Sequence, residues 1–410
     1  MVTTANKGMA SIVWALGLTQ IIGYGTLYYS FGTLAPSMAA DFGWPEEWVF
    51  GILSGSLLVG GLVAPISGRW ADRFGAARLM VWGSLAAAAS LVLCALAPEG
   101  VSFILGLIAI EVTSTTVLYA TAFAALAQAS TKGAQRSITH LTLIAGFAST
   151  VFWPVTTWLH GFLDWRQVYL VYAAINVVVC VPVHFWLART QRRRAETMAK
   201  PEAVPALVPA ERQRTAFPLM LLGFALAGFV SSAITVHMVP MLAALGTGGA
   251  GVLATILFGP SQVLSRLLNL QFGRGLSQPA LAVIASVTLP VGLGVLLLTA
   301  PSMPGTVAFA ILFGLGGGLS SIVSGTLPLA LFGSAGYGQR LGAISSARLL
   351  ASSVAPFAFS LVAASASTFI AVGLVALVAV IEAGAFVFLW VLYGQRSGLP
   401  STATASETSG

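Results

Sequence analysis

The segment Gly68-Arg-Trp-Ala-Asp72-Arg73-Phe-Gly75-Ala-Ala-Arg78 decides the fold of this chain of 410 residues. It is a charged turn with two glycines, and it lies between two long apolar runs. Glycines allow two helix ends to approach closely, and acidic and basic side chains can join neighbouring helices reversibly. The segment predicts a conformational latch formed by Gly68, Asp72, Arg73, Gly75 and Arg78. The alternative is a basic turn that only sets the topology.

The composition on both sides of this turn is that of a membrane protein. Hydrophobic residues make up 57 % of the chain and charged residues 8 %, whereas a soluble chain carries about 25 % charged residues. About 20 apolar residues cross a bilayer as a helix, and the apolar runs predict twelve spans. The spans are residues 9–39, 46–67, 79–97, 101–129, 138–159 and 167–188, followed by 216–244, 248–271, 279–299, 303–332, 341–364 and 368–393.

The charged residues predict the orientation of these spans. With the N-terminus in the cytoplasm, the outer loops hold one base, Arg166, and five acids, Asp41, Glu46, Glu47, Glu99 and Asp164. The termini and inner loops hold sixteen of the 19 basic residues: Lys7, Arg69, Arg73, Arg78, Lys132, Arg136, Arg189, Arg192, Arg193, Arg194, Lys200, Arg212, Arg214, Arg274, Arg340 and Arg396. This is the positive-inside pattern, so both termini are predicted to be cytoplasmic. The net charge of +7 therefore reflects topology and not nucleic-acid binding.

The spans fall into two halves of six. We expect an N-terminal bundle over 1–188, a cytoplasmic linker over 189–215, a C-terminal bundle over 216–394 and a disordered tail over 395–410. The linker is too short for an enzyme domain, and the sequence shows no phosphate-binding loop, zinc-type spacing or nucleophile–base pair. Cys94 and Cys180 both fall in predicted spans, which indicates neither a disulfide framework nor a metal cluster. We expect no enzymatic activity, no cofactor and a monomer.

The turn also carries a resemblance to a known family. Its pattern is similar to the signature loop G-x-x-x-D-R-x-G-x-[RK]-[RK] between helices 2 and 3 of the major facilitator superfamily, with Ala77 at the first basic position. The resemblance implies an all-α membrane protein of twelve transmembrane helices in two six-helix halves. It also implies a multi-pass protein of the inner membrane that works as a secondary transporter by alternating access. The rival class is a receptor or a pore that does not transport.

Four charged residues stand out deep inside predicted spans: Glu111, Arg266, Arg348 and Glu382. Such groups are costly in a membrane and are therefore functional candidates. At 1.5 Å per residue, Arg266 in span 8 and Arg348 in span 11 lie at similar depth. The superfamily architecture implies that both spans approach a central cavity, where two guanidinium groups would bind an anion by paired donors. The alternative for each arginine is that it extends towards lipid headgroups.

A narrower resemblance concerns the substrate. The segments Tyr29–Gly32, Asp41–Trp44 and Gln262–Arg266 resemble the branch of monocarboxylate transporters and the oxalate–formate antiporter, which also uses a basic residue near Arg348. The resemblance implies a small organic anion, a carboxylate, as the substrate. This chain departs from the branch at Gln262, where the branch has Asp. It also lacks the acidic-Gly-aromatic motif at the start of span 1.

Further candidate residues surround these arginines. Glu111 lies in span 4, which the superfamily architecture places beside the cavity, and we expect it to carry protons; a structural hydrogen bond is the alternative. Glu382 lies on a peripheral span, which favours a structural role. Four aromatic side chains could enclose a small anion together with Gln262, although core packing or anchoring explains them equally well: Tyr24, Tyr28, Tyr119 and Trp153. Tyr24 and Tyr28 are four residues apart and share one helical face.

Two other functions stay open at this stage. His237 and Met241 match the His-x-x-x-Met motif of a copper-importing branch, and imidazole and thioether ligands suit Cu(I). The Met-x-x-x-Met pair of that branch is absent. Multidrug–proton export is a second alternative, but the segment Gly146–Pro154 lacks the glycine cluster that drug–proton antiporters carry in span 5.

Overall fold

The structure is a computed structural model that describes residues 2–129, 133–197, 204–247 and 249–393. Within these ranges, all regular secondary structure is helical. Eleven helices are long and apolar enough to cross a membrane: α1 (Gly8–Phe42), α2 (Glu46–Phe74), α3 (Ala76–Ala95), α4 (Gly100–Ala129), α5 (Ala134–His160), α6 (Trp165–Arg193), α7 (Ala210–Ala244), α9 (Gln278–Thr299), α10 (Met303–Phe332), α11 (Tyr337–Ser365) and α12 (Thr368–Tyr393). Helix α8 (Gly249–Phe272) lies at the eighth predicted span. The all-helical membrane architecture is thereby confirmed.

The chain between α2 and α3 reverses direction at one residue, Gly75. Its φ of +90° lies in a region that residues with a side chain rarely adopt. Pro45 precedes α2 and cannot donate a backbone hydrogen bond, so it suits the start of a helix. Glu46 and Glu47 lie in the first turn of α2, where negative charge is favourable. Gly75 of the signature turn therefore provides the backbone conformation that the reversal between α2 and α3 requires.

Helix α4 is broken at Leu118, which has an extended ψ of −166°. The break frees backbone carbonyl groups, and an unsatisfied carbonyl is costly inside a membrane. The Gln20 side chain of α1 donates to the Val117 carbonyl at 2.7 Å. The Thr121 hydroxyl donates to the Thr115 carbonyl at 3.0 Å. These bonds compensate the break, after which the chain resumes at Tyr119.

Two other helices contain wider turns of the π type, Gly25–Tyr29 in α1 and Asn176–Cys180 in α6. The two turns are joined, because the Asn176 side-chain amide donates to the Thr26 hydroxyl at 3.0 Å. The same amide donates to the Tyr172 carbonyl at 2.9 Å. Wider turns of this kind occur frequently at functional sites. In α1, the turn lies beside the predicted binding residues.

Among the described residues, the buried apolar side chains form four clusters, and one of them joins the two halves. We call the end of the bundle that carries the basic loops the cytoplasmic end, and the opposite end the outer end. The clusters at the outer end each stay within one half. The cytoplasmic cluster of the N-terminal half also contains Leu329, Tyr337 and Leu341 of the C-terminal half. The halves are therefore packed together at the cytoplasmic end.

Helices α2 and α11 approach most closely at that end. A Cβ atom added to Gly68 would collide with the Gly338 carbonyl oxygen and would lie 3.1 Å from the Gly342 Cα. A Cβ atom added to Gly342 would lie 2.5 Å from the Ala64 carbonyl oxygen. Glycine at these positions lets the two backbones meet, so the contact depends on the absence of side chains.

Helices cover part of the segment that we assigned to the linker. The last helix of the first half continues to Thr197, and α7 begins at Ala210. Between them, the amides of Leu207 and Val208 donate to the carbonyls of Ala330 and Leu331 at 3.2 Å and 3.0 Å. The described part of the linker is therefore attached to the end of α10. The predicted tail over 395–410 lies outside the described residues.

We expect Gly68→Ala to separate the cytoplasmic ends of α2 and α11, because the added methyl group collides with the Gly338 carbonyl. Overpacking of this kind costs about 1–3 kcal/mol. Spin labels at Arg69 and Ala335, both exposed, would report the separation. The native Cys94 and Cys180 are buried and should not react.

The matched control is Gly55→Ala on the same helix, where no atom lies within 4 Å of an added Cβ. An equal distance distribution in Gly68→Ala and Gly55→Ala would contradict the tight crossing.

Candidate functional site

Arg266 of α8 reaches from the C-terminal half to the N-terminal half. Its side chain is buried, with 5 % of its surface exposed. Its Nε donates to the Ser321 hydroxyl of α10 at 3.1 Å, and its Nη2 donates to Oε1 of Gln262 at 3.4 Å. Its Nη1 lies against Gly146 of α5, where a Cβ would collide with it. Gln262 therefore orients the arginine, and Gly146 leaves room for it.

Arg348 of α11 has a different environment. Among the described residues, no side chain or carbonyl forms a hydrogen bond with its guanidinium group. The group interacts electrostatically with Tyr24 and Tyr28 of α1 and with Glu382 of α12. The backbone of Arg348 packs against Gly228 of α7, where a Cβ would lie 2.8 Å from its carbonyl oxygen. The donors of this arginine are thus available to a bound group.

An aromatic cluster lies near both arginines, and its members come from α1, α4 and α5: Tyr24, Tyr28, Tyr29, Tyr119 and Trp153. The ring centroids of Tyr24 and Tyr119 are 4.7 Å apart, those of Tyr28 and Tyr29 are 5.3 Å apart, and those of Tyr29 and Trp153 are 5.8 Å apart. Tyr28 and Trp153 are 51 % and 53 % exposed. The cluster is therefore accessible from outside the packed core.

Tyr29 is a member that the sequence reasoning missed. A regular α-helix places Tyr24 and Tyr28 on one face and turns Tyr29 away from it. The π turn Gly25–Tyr29 pairs residues five apart and brings Tyr29 beside Tyr24, with ring centroids 6.4 Å apart. The break at Leu118 acts similarly in α4, because Tyr119 follows it directly. The irregular turns therefore assemble the cluster.

The two arginines interact with different members of this cluster. Arg266 interacts electrostatically with Tyr29 and Tyr119. Arg348 interacts with Tyr24 and Tyr28. The arrangement combines two cations from the C-terminal half with phenol groups from the N-terminal half. It can bind an anion by charge and by hydrogen-bond donation from both halves at once.

Glu111 of α4 lies at the margin of the same cluster. It is 7 % exposed, and Gly60 of α2 approaches its backbone so closely that an added Cβ would lie 3.1 Å from its carbonyl oxygen. Its carboxyl group interacts electrostatically with Tyr28 and with Tyr169 of α6. No hydrogen bond to this carboxyl group is formed within the described part of the chain. A structural hydrogen bond between helices is thus not seen for Glu111.

The predicted latch residues make different contacts in the structure. The amides of Gly338 and Gln339 donate to Oδ1 and Oδ2 of Asp72 at 2.9 Å and 2.8 Å. These amides belong to the N-terminus of α11, where the helix dipole favours a negative charge. Arg73 lies over the Phe74 ring at 5.2 Å, and Arg78 is exposed.

The turn itself is held by a residue that the sequence analysis missed. Gln128 of α4 accepts a hydrogen bond from the Ala76 amide at 2.9 Å and donates to the Ala71 carbonyl at 3.0 Å. A lone glutamine in an apolar helix gave no signal for this contact. Asp72 thus joins the two halves, whereas Gln128 fixes the turn within one half.

Both ring nitrogens of His237 lie near oxygen atoms of the protein. The His237 Nε2 lies 2.8 Å from the Ser360 hydroxyl, its Nδ1 lies 3.2 Å from the Ala233 carbonyl oxygen, and its ring stacks on Phe359. Met241 is buried in an apolar cluster. Within the described residues, no group of three or more His, Cys, Asp and Glu side chains could hold a metal ion.

One surface groove lies away from the arginines. It has a volume of about 550 Å³, lies between α3 and α6, and is lined only by alkyl side chains between Leu85 and Val92 and between Leu170 and Val178. A groove without polar groups cannot orient a charged substrate. The aromatic cluster near both arginines is therefore the better candidate for the functional site.

Comparisons with known proteins agree with this architecture. The family model described as Major Facilitator Superfamily matches residues 16–356. The human organic anion transporter MFSD10 (TETRAN) is similar in structure, with a TM-score of 0.71, 13 % identity, and coverage of 93 % of this chain and 99 % of that chain. The proton:xylose symporter XylE, bound to 6-bromo-6-deoxy-D-glucose, gives a TM-score of 0.68 and 14 % identity, with 94 % and 96 % coverage. A search of curated protein sequences finds no significant match.

We expect Asp72→Asn to loosen the start of α11. The amide side chain keeps the shape of the carboxylate but loses its charge and one of its two acceptor atoms. A helix-capping interaction is worth about 1 kcal/mol, so the Gly338 and Gln339 amides should exchange hydrogen roughly fivefold faster. Hydrogen–deuterium exchange with mass spectrometry would measure this.

Glu46→Gln is the control, because it removes the same charge from an exposed position at the other end of α2. Equal protection of the α11 amides in Asp72→Asn and the parent protein would show that Asp72 does not hold the two halves together.

Proposed function

The chain belongs to the Major Facilitator Superfamily, and we propose that it is a secondary active transporter for a small organic anion, a carboxylate. It moves this anion across the inner membrane by alternating access. The observation that carries the proposal is the pair Arg266 and Arg348, which adjoin one aromatic cluster from two different helices. Proteins of this family are transporters, and the fold provides no place for a separate catalytic domain in the described residues.

The charge of the site favours an anion over a neutral or cationic substrate. A carboxylate that leaves water pays a large desolvation cost unless it is paired. Arg348 offers a planar guanidinium group without a hydrogen-bond acceptor of its own among the described residues. Arg266 is already oriented by Ser321 and Gln262. The site therefore combines Arg266, whose guanidinium is fixed by hydrogen bonds, with Arg348, whose donors are available to a ligand.

The position of the site between the halves favours alternating access. The arginines belong to the C-terminal half and the tyrosines to the N-terminal half, so an anion bound between them would draw the halves together. The cytoplasmic end is held by the α2–α11 crossing and by Asp72. Release of that contact would open the site to the cytoplasm, in the manner expected of a transporter and not of a receptor or a pore.

The resemblance to the monocarboxylate and oxalate–formate branch supports the same substrate class. The departure at Gln262 has a structural counterpart, because the glutamine oxygen accepts a hydrogen bond from Arg266. An acid at this position would neutralise the arginine, whereas the amide orients it and leaves its charge. Proton coupling then falls to Glu111, which is buried beside Tyr28.

The similar structures give limited support for the substrate. One is described as an organic anion transporter and the other as a proton:xylose symporter, at 13 % and 14 % identity. At this identity, the likeness concerns the fold alone. The anion assignment therefore depends on the two arginines, and it can be tested by binding.

The first test is a thermal-shift screen of the purified protein with formate, acetate, lactate, oxalate and benzoate. We expect at least one carboxylate to raise the unfolding temperature. The same carboxylate should give saturable counterflow in proteoliposomes, which a pore or a receptor does not give. Failure of the whole panel would favour a neutral or cationic substrate.

Arg266→Ala and Arg348→Ala should each weaken binding of that carboxylate about tenfold or more. A hydrogen bond to a charged group is worth about 1.5–3 kcal/mol, and about 1.4 kcal/mol corresponds to a factor of ten. Arg→Lys should rescue only part of the affinity, because an ammonium group lacks the planar pair of donors. Isothermal titration calorimetry would give the affinities.

Arg212→Ala is the matched control, since Arg212 is exposed near the start of α7. If Arg266→Ala and Arg348→Ala both bind the carboxylate with the affinity of the parent protein, the anion site is refuted.

Glu111→Gln tests proton coupling. The variant should lose accumulation of the carboxylate that is driven by a pH gradient, because the amide cannot carry a proton. It should keep exchange of internal for external substrate. Uptake into proteoliposomes with and without an imposed pH gradient separates the two activities. A variant that still follows the gradient as the parent does would place the proton carrier elsewhere.

A further inference from the structure

Glu382 of α12 is the most deeply buried acid among the four charged residues that lie deep inside the spans. It is 1 % exposed, and its Oε2 has no hydrogen-bond partner within the described residues. A structural role, as we expected from the sequence, would normally use hydrogen bonds to neighbouring helices. A buried carboxyl oxygen without a partner is costly and calls for an explanation.

The packing of α12 places Glu382 at the depth of Arg348. The Phe386 ring lies against Gly223 of α7, and Glu382 lies one helical turn further towards the outer end. On α7, Gly228 lies a little more than one turn from Gly223 in the same direction. Gly228 contacts the backbone of Arg348. Glu382 and Arg348 are close enough to interact electrostatically. The contacts at Gly223 and Gly228 thus place Glu382 and Arg348 at a similar depth in the membrane.

No other charged group in the neighbouring helices competes for Glu382 at this depth. Helix α9 contains no titratable residue. Helix α11 has Tyr337 and Arg340 near its cytoplasmic start, in addition to Arg348. The titratable residues of α7 lie near its two ends: Glu211, Arg212, Arg214 and His237.

We propose that Glu382 is the internal counter-ion of Arg348, which neutralises this guanidinium while the site is empty and thereby lets the empty transporter change its orientation. The pairing itself is independent of the substrate. The consequence for transport rests on the proposed function, because it requires an anion that replaces Glu382 at Arg348.

The physical reason is the cost of an unpaired charge in a closed site. When the site closes around a bound carboxylate, the substrate neutralises Arg348. When the site closes empty, the guanidinium needs another anion, and an uncompensated buried charge is strongly unfavourable. Glu382 supplies that anion from outside the aromatic cluster. It also competes with the substrate, so its removal should strengthen binding and hinder the return of the empty protein.

The pairing is tested by a double-mutant cycle on thermal unfolding of the detergent-purified full chain. Glu382→Gln keeps the shape of the side chain but leaves Arg348 without its counter-ion, so the unfolding temperature should fall. Adding Arg348→Gln should recover part of that loss, because two residues whose charges are coupled show non-additive effects. Glu382→Gln combined with Arg266→Gln is the matched control and should be additive. Additivity in both pairs would overturn the proposal.

The transport consequence is tested with the panel carboxylate that binds tightest. Glu382→Gln should bind it roughly fivefold tighter or more, the size of an ordinary coupling between sites. In proteoliposomes, the variant should keep exchange but lose net efflux into medium without substrate. This combination separates it from a merely damaged protein, in which binding and exchange would both fall.

Parental net efflux in Glu382→Gln would overturn the role in the return step. If no carboxylate binds the parent protein, the proposed function fails, and the double-mutant cycle still decides whether Glu382 and Arg348 form a pair.

Discussion

A charge without a partner inside a membrane costs several kcal/mol, and this constraint organises the centre of the molecule. Deep in the described helices lie two arginines and two glutamates, and the two arginines have different partners. Arg266 is hydrogen bonded to Ser321 and Gln262. Arg348 interacts electrostatically with Tyr24, Tyr28 and Glu382. The packing of α7, α8 and α11 against their neighbours therefore reflects the need to place partners beside these charges as well as the burial of apolar side chains.

The close approach of these helices depends on glycine at the places where charge is held. Gly146 leaves room for the Arg266 guanidinium, and Gly228 brings α7 against the backbone of Arg348. At the cytoplasmic end, Gly68 and Gly338 allow Asp72 to reach the first amides of α11. A helix pair that meets backbone to backbone has few interlocked side chains to separate. Such contacts suit surfaces that must open and close during a transport cycle.

The sequence predicted the fold well and the site in part. Twelve spans and their orientation are predicted from the length of the apolar runs and from the excess of Lys and Arg on one side. The bilayer imposes both patterns on the sequence, so no knowledge of tertiary contacts is needed to find them. The positions of Arg266 and Arg348 follow from the same count, although their roles stay predictions. Tyr29, Gln20 and Gln128 were missed, because their tasks depend on the π turn in α1, the break in α4 and the turn at Gly75. Regular periodicity cannot locate such irregularities.

The distribution of charge also bears on what kind of transporter this chain can be. A site whose cations are neutralised only by substrate must carry substrate in both directions, since closing it empty would bury an unpaired guanidinium. A site with its own acid can close empty, and net transport becomes possible. With Glu382 as the proposed counter-ion of Arg348, this site belongs to the second kind. On the proposed pairing, the balance between exchange and net transport depends on one carboxyl group, that of Glu382 on α12.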